Sequence, residues 1–176
     1  MHQSVALLFI VIGVAVANQQ TLRAVVHLTP DNVEIANVTG YLILTQDEES
    51  CPVKMTGKIY GLSEGLHGFH VHEKGDIRQG CLSAGPHFNP TKVTHGGQRS
   101  PVRHVGDLGN ILANAHGEAS VDITDSLISL AGPHNILGRA IVVHAGEDDL
   151  GLGMSPDSLT TGNSGGRVAC GTISAS

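Results

Sequence analysis

The chain has 176 residues, 10 Lys and Arg against 16 Asp and Glu for a formal charge of -6 with His neutral, and is 40% hydrophobic and 15% charged. This is one domain's worth of chain, able to bury a core and too apolar for a disordered segment, and its acidic balance argues against a nucleic-acid partner. Glycine numbers 23 and histidine 11, with only three Phe, two Tyr and no Trp, so the chain is rich in turns, and its histidine excess points to metal or proton chemistry.

Residues 5–17 form an uncharged apolar run ending in Ala15-Val16-Ala17, a small-x-small cleavage pattern, and read as a secretory signal peptide over 1–17. Thirteen residues rise only about 20 Å as a helix, short of the ~30 Å hydrocarbon core; an uncleaved anchor and a buried core helix are the other readings. Cleavage after Ala17 leaves a domain over 18–176 that keeps the charge of -6, because 1–17 holds no Asp, Glu, Lys or Arg. No second apolar run of spanning length follows, so the expectation is a secreted, extracellular product with no stable membrane span. Export permits disulfides, and three cysteines, Cys51, Cys81 and Cys170, allow at most one intrachain bridge. Asn37-Val38-Thr39 is a glycosylation acceptor, whereas Asn89-Pro90-Thr91 is excluded by its proline.

Short β-branched and aliphatic stretches, several alternating with period two, predict strands at 23–28, 38–45, 53–60, 66–72, 107–113, 119–124, 139–144 and 167–173. No helix-period stretch of useful length separates them. About eight short strands without helical crossovers favour an all-β, antiparallel sandwich or barrel. Stretches 75–106 and 145–166 resist strand assignment, the second holding six glycines, and loops of such length in a compact domain are usually functional.

His70 and His72 lie two apart at the end of a predicted strand, so both point to one face and can grip one ion. Alone, H-x-H is weak. His87, His95 and His104 punctuate the first long loop, Asp107 follows three residues later, and His144 ends the apolar run Ala140-Ile141-Val142-Val143. Such a nitrogen and oxygen pool suits copper or zinc better than calcium or magnesium, and thiolate sites need more cysteines. His27, His67, His116 and His134 read as structural or surface residues.

These residues sit in stretches that resemble the copper/zinc superoxide dismutases in order and spacing: Gly68-Phe69-His70-Val71-His72-Glu73, Gly85-Pro86-His87-Phe88-Asn89-Pro90, His95-Gly96-Gly97, Arg103-His104-Val105-Gly106-Asp107-Leu108-Gly109-Asn110, Val142-Val143-His144 and Gly162-Asn163-Ser164-Gly165-Gly166-Arg167-Val168-Ala169-Cys170-Gly171. The likeness runs through essentially all of 18–176. It implies an eight-stranded antiparallel Greek-key β-sandwich or barrel with two long functional loops, and a homodimer. It implies copper, one per chain, on His70, His72, His87 and His144, and zinc, one per chain, on His87, His95, His104 and Asp107, with His87 as the bridge. It also implies a catalytic, substrate-guiding Arg167, an outer carboxylate Asp148 joining His70 and His95, and a Cys81–Cys170 disulfide that leaves Cys51 over. The implied reaction is dismutation of superoxide to oxygen and hydrogen peroxide by alternating reduction and reoxidation of the copper, with His87 carrying a proton, as antioxidant defence outside the cell.

The chain also departs from the family. Where many members carry paired glutamates and a lysine that steer superoxide, the matching places read Pro156, Asp157 and Thr160, and Cys51 matches no thiol of the family. Two other classes of function fit the residues less well. A noncatalytic metal-binding or chaperone module should lack a copper ligand or the arginine, and an adhesive sandwich has no use for seven ligands in register.

Overall fold

A computed structural model describes residues 21–32 and 37–176; the expected signal segment 1–17 lies outside the described residues. Among the described residues nine strands follow one another: β1 (Leu22–Pro30), β2 (Thr39–Gln46), β3 (Val53–Tyr60), β4 (Gly65–His72), β5 (Asp107–Ala113), β6 (Ala119–Asp125), β7 (Ala140–His144), β8 (Arg167–Thr172) and β9 (Ser174–Ala175). Every ladder between them is antiparallel. Eight strands close into a barrel in the order β1-β2-β3-β6-β5-β4-β7-β8, with β8 returning to β1. Closure removes the unpaired edges that an open sheet would present. The all-β expectation therefore holds.

Closure is uneven. β5 meets β6 only at Ala113 opposite Ala119, and β8 meets β1 only at Cys170 and Ala169 opposite Thr29 and Pro30. The barrel thus reads equally as two four-stranded halves, β1-β2-β3-β6 and β5-β4-β7-β8, packed face to face. In the first half, alternation is plain: Ala24, Val26 and Leu28 of β1, Leu42 and Leu44 of β2, and Val53, Met55 and Ile59 of β3 are buried, and the residues between them face outward.

In the second half, β7 and β4 from His67 onward are buried on both faces. Phe69 and Val71 of β4 and Ile141 and Val143 of β7 enter the main core, while the alternate positions His70, His72, Val142 and His144 lie on the opposite face and are buried as well. That outer face is covered by the two long loops, which explains why β7 reads as a continuous apolar run rather than an alternating one.

Six of the eight predicted strands have boundaries shifted by one or two residues, and short elements appear that periodicity does not predict. The strand expected over 139–144 begins at Ala140. The one expected over 167–173 ends at Thr172, and the chain resumes as β9, whose Ser174 and Ala175 pair with Val25 and Ala24 of β1. Inside the second long loop lies one helical turn, α1 (Ser158–Thr161), too short to leave a periodic signal and closed by Gly162 at φ 67°. A short 3-10 turn at Cys81–Ala84 carries one end of the disulfide. Cys81 and Cys170 are bridged across a separation of 89 residues and Cys51 is left free. Closing a loop of this length is worth about 4 to 5 kcal/mol in the chain-entropy account, and the bridge ties the first long loop to β8.

Candidate metal centre

The outer face of β4 and β7 is the floor of the site. His70 sits opposite Val142 and His72 opposite Ala140 in the β4–β7 ladder, and His144 pairs with Arg167 across β7–β8. The first long loop is laid over this floor by its own backbone pairings: His87 forms a bridge with His72, and Asp107 aligns with His70. Residues far apart in sequence are thus fixed by the sheet rather than by flexible contacts.

Two groups of four result. His70, His72, His87 and His144 form one and His87, His95, His104 and Asp107 the other, all buried, each offering ligand atoms within 4.8 Å of one another. His87 belongs to both. Its Nδ1 lies 2.8 Å from Asp107 Oδ1 and 3.5 Å from His104 Nδ1, which leaves Nε2 for the other group. His104 Nδ1 is 3.1 Å from Asp107 Oδ1, and His95 Nδ1 is 3.0 Å from Asp107 Oδ2 but misaligned for a hydrogen bond. A tetrahedral zinc with ligands at about 2.0 to 2.1 Å has edges of roughly 3.3 Å, so this three-nitrogen, one-carboxylate set matches zinc in chemistry and scale.

The four-histidine group is oriented by backbone carbonyls. His72 donates from Nδ1 to Gly85 O at 2.8 Å and His144 from Nδ1 to Gly165 O at 3.2 Å, turning their Nε2 atoms inward to 3.4 Å from each other. His70 is turned the other way, because its Nε2 donates to Asp148 Oδ2 at 2.8 Å and its Nδ1 faces the cluster. Among the described residues, His70 Nδ1, His87 Nε2 and His95 Nδ1 are buried without a hydrogen-bond partner. Burying such atoms unpaired costs roughly 1 to 3 kcal/mol each. Two of them, His70 Nδ1 and His87 Nε2, belong to the all-imidazole group and fit a borderline transition metal, copper above all, while His95 Nδ1 belongs to the group that contains Asp107.

Asp148 is the hinge between the groups. Its Oδ2 accepts from His70 and its Oδ1 from His95 Nε2, both at 2.8 Å, so the third cluster of His70, His95 and Asp148 is a hydrogen-bonded link and needs no ion of its own. Gly162 packs against it: its φ of 67° and a Cβ position that would strike Asp148 Oδ1 and His95 Nε2 leave room for glycine alone.

Three further residues hold the site: Asn110 and Arg103, to which the sequence gives no role, and His67, a structural histidine as expected. Asn110 clasps the backbone of Asp148 from both sides, at 2.8 Å each. Buried Arg103 donates to Asp107 O and Asp125 Oδ2, both at 2.6 Å. His67, buried, lies 2.8 Å from His144 O through Nδ1. Asn110 and Arg103 stand inside a motif that also carries ligands, Arg103-His104-Val105-Gly106-Asp107-Leu108-Gly109-Asn110. His27, His116 and His134 join no metal group among the described residues, and Asp149 accepts instead from Ser158 Oγ at 2.7 Å. Arg167 is half-buried, and its guanidinium donates to Cys81 O at 2.6 Å and Gly85 O at 2.7 Å.

Burial holds His70 and His72 well below the ordinary imidazole pKa and His144 at about 4. Burial opposes charge on His95 too, but the adjacent carboxylates of Asp107 and Asp148 outweigh it and raise that pKa to about 9. Burial also works against the two carboxylates, yet their histidine partners hold both below the usual range. For the metal-free protein the sign follows. Between about pH 6.5 and 4 the unfolded chain takes up protons that folded His70, His72 and His144 refuse, so stability declines on acidification by up to about 1.4 kcal/mol per pH unit for each. The contribution of His95 is present below pH 6.5 and is lost as pH rises through about 9. Thermal unfolding of the metal-free protein should give a Tm maximum near neutrality with the steeper fall on the acid side; a Tm that climbs from pH 6 to 4.5 would contradict these environments.

Comparison with known proteins agrees with this chemistry. The family model described as copper/zinc superoxide dismutase matches residues 38–173. The chain is 54% identical over 139 residues to "Superoxide dismutase [Cu-Zn]" of Onchocerca volvulus, covering 77% of this chain and 88% of that protein. It is 51% identical over 160 residues to "Extracellular superoxide dismutase [Cu-Zn]" of Brugia pahangi, covering 89% of this chain and 78% of that protein.

Proposed function

The chain belongs to the copper/zinc superoxide dismutase family, oxidoreductases that dismute superoxide with copper and zinc, and from that premise we propose which of its residues do the work and where. Copper is held by His70, His72, His87 and His144, and zinc by His87, His95, His104 and Asp107. The observation that carries this assignment is the pair of buried donor sets sharing His87, with three ring nitrogens left unpartnered inside them. Bound there, copper would supply the one-electron redox chemistry of the reaction, and zinc, which has no redox step to offer, would hold the loop in place.

The chain's residues account for the rest. Two superoxides and two protons give one oxygen and one hydrogen peroxide, so a proton must be delivered at the site. His87 Nε2 is placed to hold that proton when it is not engaged as a ligand, while Nδ1 stays on the Asp107 side. Carbonyls of Gly85 and Gly165 and the carboxylate of Asp148 lock the ring orientations, so that no side-chain rearrangement accompanies electron transfer. Arg167 supplies a fixed positive charge beside the copper set, its guanidinium pinned by two carbonyls.

The setting is extracellular. Residues 1–17 act as a cleaved signal, and one relative is named as an extracellular enzyme. Asn37 of the sequon is exposed, which suits a glycan. Among the described residues no helix is long and apolar enough to cross a membrane. The active form is a homodimer that meets superoxide outside the cell. The deciding experiment is copper and zinc analysis of the purified protein with a superoxide-removal assay on the same sample. One equivalent of each metal and activity are expected; a protein with neither metal would sink the assignment.

A further inference from the structure

The chain holds two tyrosines and no tryptophan, and both tyrosines lie on one outer face of the barrel. Tyr41 of β2 is 44% exposed and Tyr60 of β3 is 47% exposed. With Thr39, Gly40, Gly57 and Lys58 they line a depression of about 450 Å³. His27, the partner of Tyr41 in the β1–β2 ladder, backs it from the β1 side with ring centroids 4.8 Å apart, which leaves the side toward β3 open. Lys58 is tied to Glu118 by an ion pair, so the depression presents aromatic rings rather than a free charge.

The sequon stands at the end of this face. Val38 is buried, and Asn37 and Thr39 on either side of it are exposed, so both point outward with Tyr41. Thr39 is the partner of Tyr60 in the β2–β3 ladder. Asn37 and Tyr41, each two residues from Thr39, are therefore the diagonal neighbours of Tyr60, at the ~7 to 8 Å spacing that long and aromatic side chains bridge. The backbone agrees, because Asn37 O lies so close to Gly61 that a Cβ there would stand 2.4 Å from it.

We propose that the first sugar of an N-glycan on Asn37 lies over the Tyr60 ring, so that this aromatic face is covered by the chain's own carbohydrate. The inference rests on the reading of Asn37 as a glycosylated residue. Attachment forms a bond from Asn37 Nδ2 to the anomeric carbon of the sugar and breaks the bond from that carbon to a lipid pyrophosphate carrier, with the amide giving up one proton. A pyranose ring presents a face of C–H groups, which packs on the electron-rich face of a tyrosine while its hydroxyls stay in water. Covered in this way, the face is closed to association with other chains.

Tyr41→Phe makes Tyr60 the only tyrosine, and in the absence of tryptophan its fluorescence reports on that ring alone. The test uses the copper- and zinc-loaded Tyr41→Phe protein secreted from eukaryotic cells, in three forms of equal metal content: with its glycan, trimmed enzymatically to one sugar, and fully deglycosylated. Peptide mapping first reads the occupancy of Asn37. Quenching of Tyr60 by acrylamide should be about twofold weaker in the first two forms than in the third, because a sugar shields one face of a half-exposed ring. Asn37→Gln, which never carries the glycan, should match the third form and controls for the carboxylate that enzymatic release leaves at residue 37. In protein that retains Tyr41, full deglycosylation should lower the Tm by about 2 to 4 °C, the shift for one aromatic contact in a chain of this size, and by less than half as much in Tyr60→Ser. Equal quenching in all three forms, protection that disappears on trimming to one sugar, or an equal Tm loss in Tyr60→Ser would overturn the proposal. Protection that survives full deglycosylation and is lost on dilution would assign the face to a second copy of the chain and overturn it as well. An empty Asn37 would instead overturn the glycosylation reading, and the cover of Tyr60 with it.

Discussion

His144→Ala abolishes copper-dependent dismutation and leaves a folded chain that still takes up zinc. His144 belongs to the four-histidine group alone, whereas His87 serves both groups, so only the former separates the two metals. Its imidazole is held by Gly165 O and faces His72 Nε2 at 3.4 Å; truncation removes one of four nitrogens and opens that side to water. Losing an outer hydrogen-bond partner already costs roughly 10- to 100-fold in metal affinity or activity, so losing a ligand should cost at least about 100-fold. The fold should survive because the backbone of residue 144 keeps its place in the β7–β8 ladder and its carbonyl still meets His67 Nδ1. Metal stoichiometry, activity and near-UV circular dichroism on one preparation check this. Full activity in a variant with zinc bound would refute the copper assignment, and loss of zinc along with copper would refute the separation of the two groups.

The strands were legible because their periodicity is local. Alternation in β1, β2 and β3 follows from one wet face, and even β7, buried on both faces, announces itself by its aliphatic run. β9 was not legible, since two residues carry no period and only pairing with β1 defines them. His70 and His72 could be put on one face from their spacing alone. That His87 would come to rest on His72, and Asp107 beside His70, depends on pairings made after the long loop closes, and only the likeness to a family supplied that arrangement. The carbonyls of Gly85 and Gly165, which set the rings of His72 and His144, carry no side-chain signal. Asn110 and Arg103 were visible as letters, but their partners are a backbone 38 residues away and a carboxylate 22 residues away.

Arg167→Ala should slow dismutation at least about tenfold at low ionic strength, the lower part of the 10 to 10³ range assigned to electrostatic guidance. A chain of net charge -6 repels superoxide at long range, so attraction must be local. Arg167 provides it at the shortest range, because β8 sets it opposite His144 and the carbonyls of Cys81 and Gly85 aim its guanidinium. The disulfide reinforces that aim by tying Cys81, one of the two anchors, to Cys170 three residues along the same strand. Burial lowers the Arg167 pKa, yet a guanidinium stays charged in proteins, so the field persists across the working pH range. An exposed charge is screened once the Debye length falls to about 8 Å near physiological strength, whereas a half-buried charge beside the four-histidine group is screened less, so part of the Arg167→Ala deficit should remain at high salt. Copper occupancy must be measured in the variant, because lost metal would mimic lost guidance. Arg167→Ala that is fully loaded with copper and matches the parent at every salt concentration would remove the guiding role from this residue.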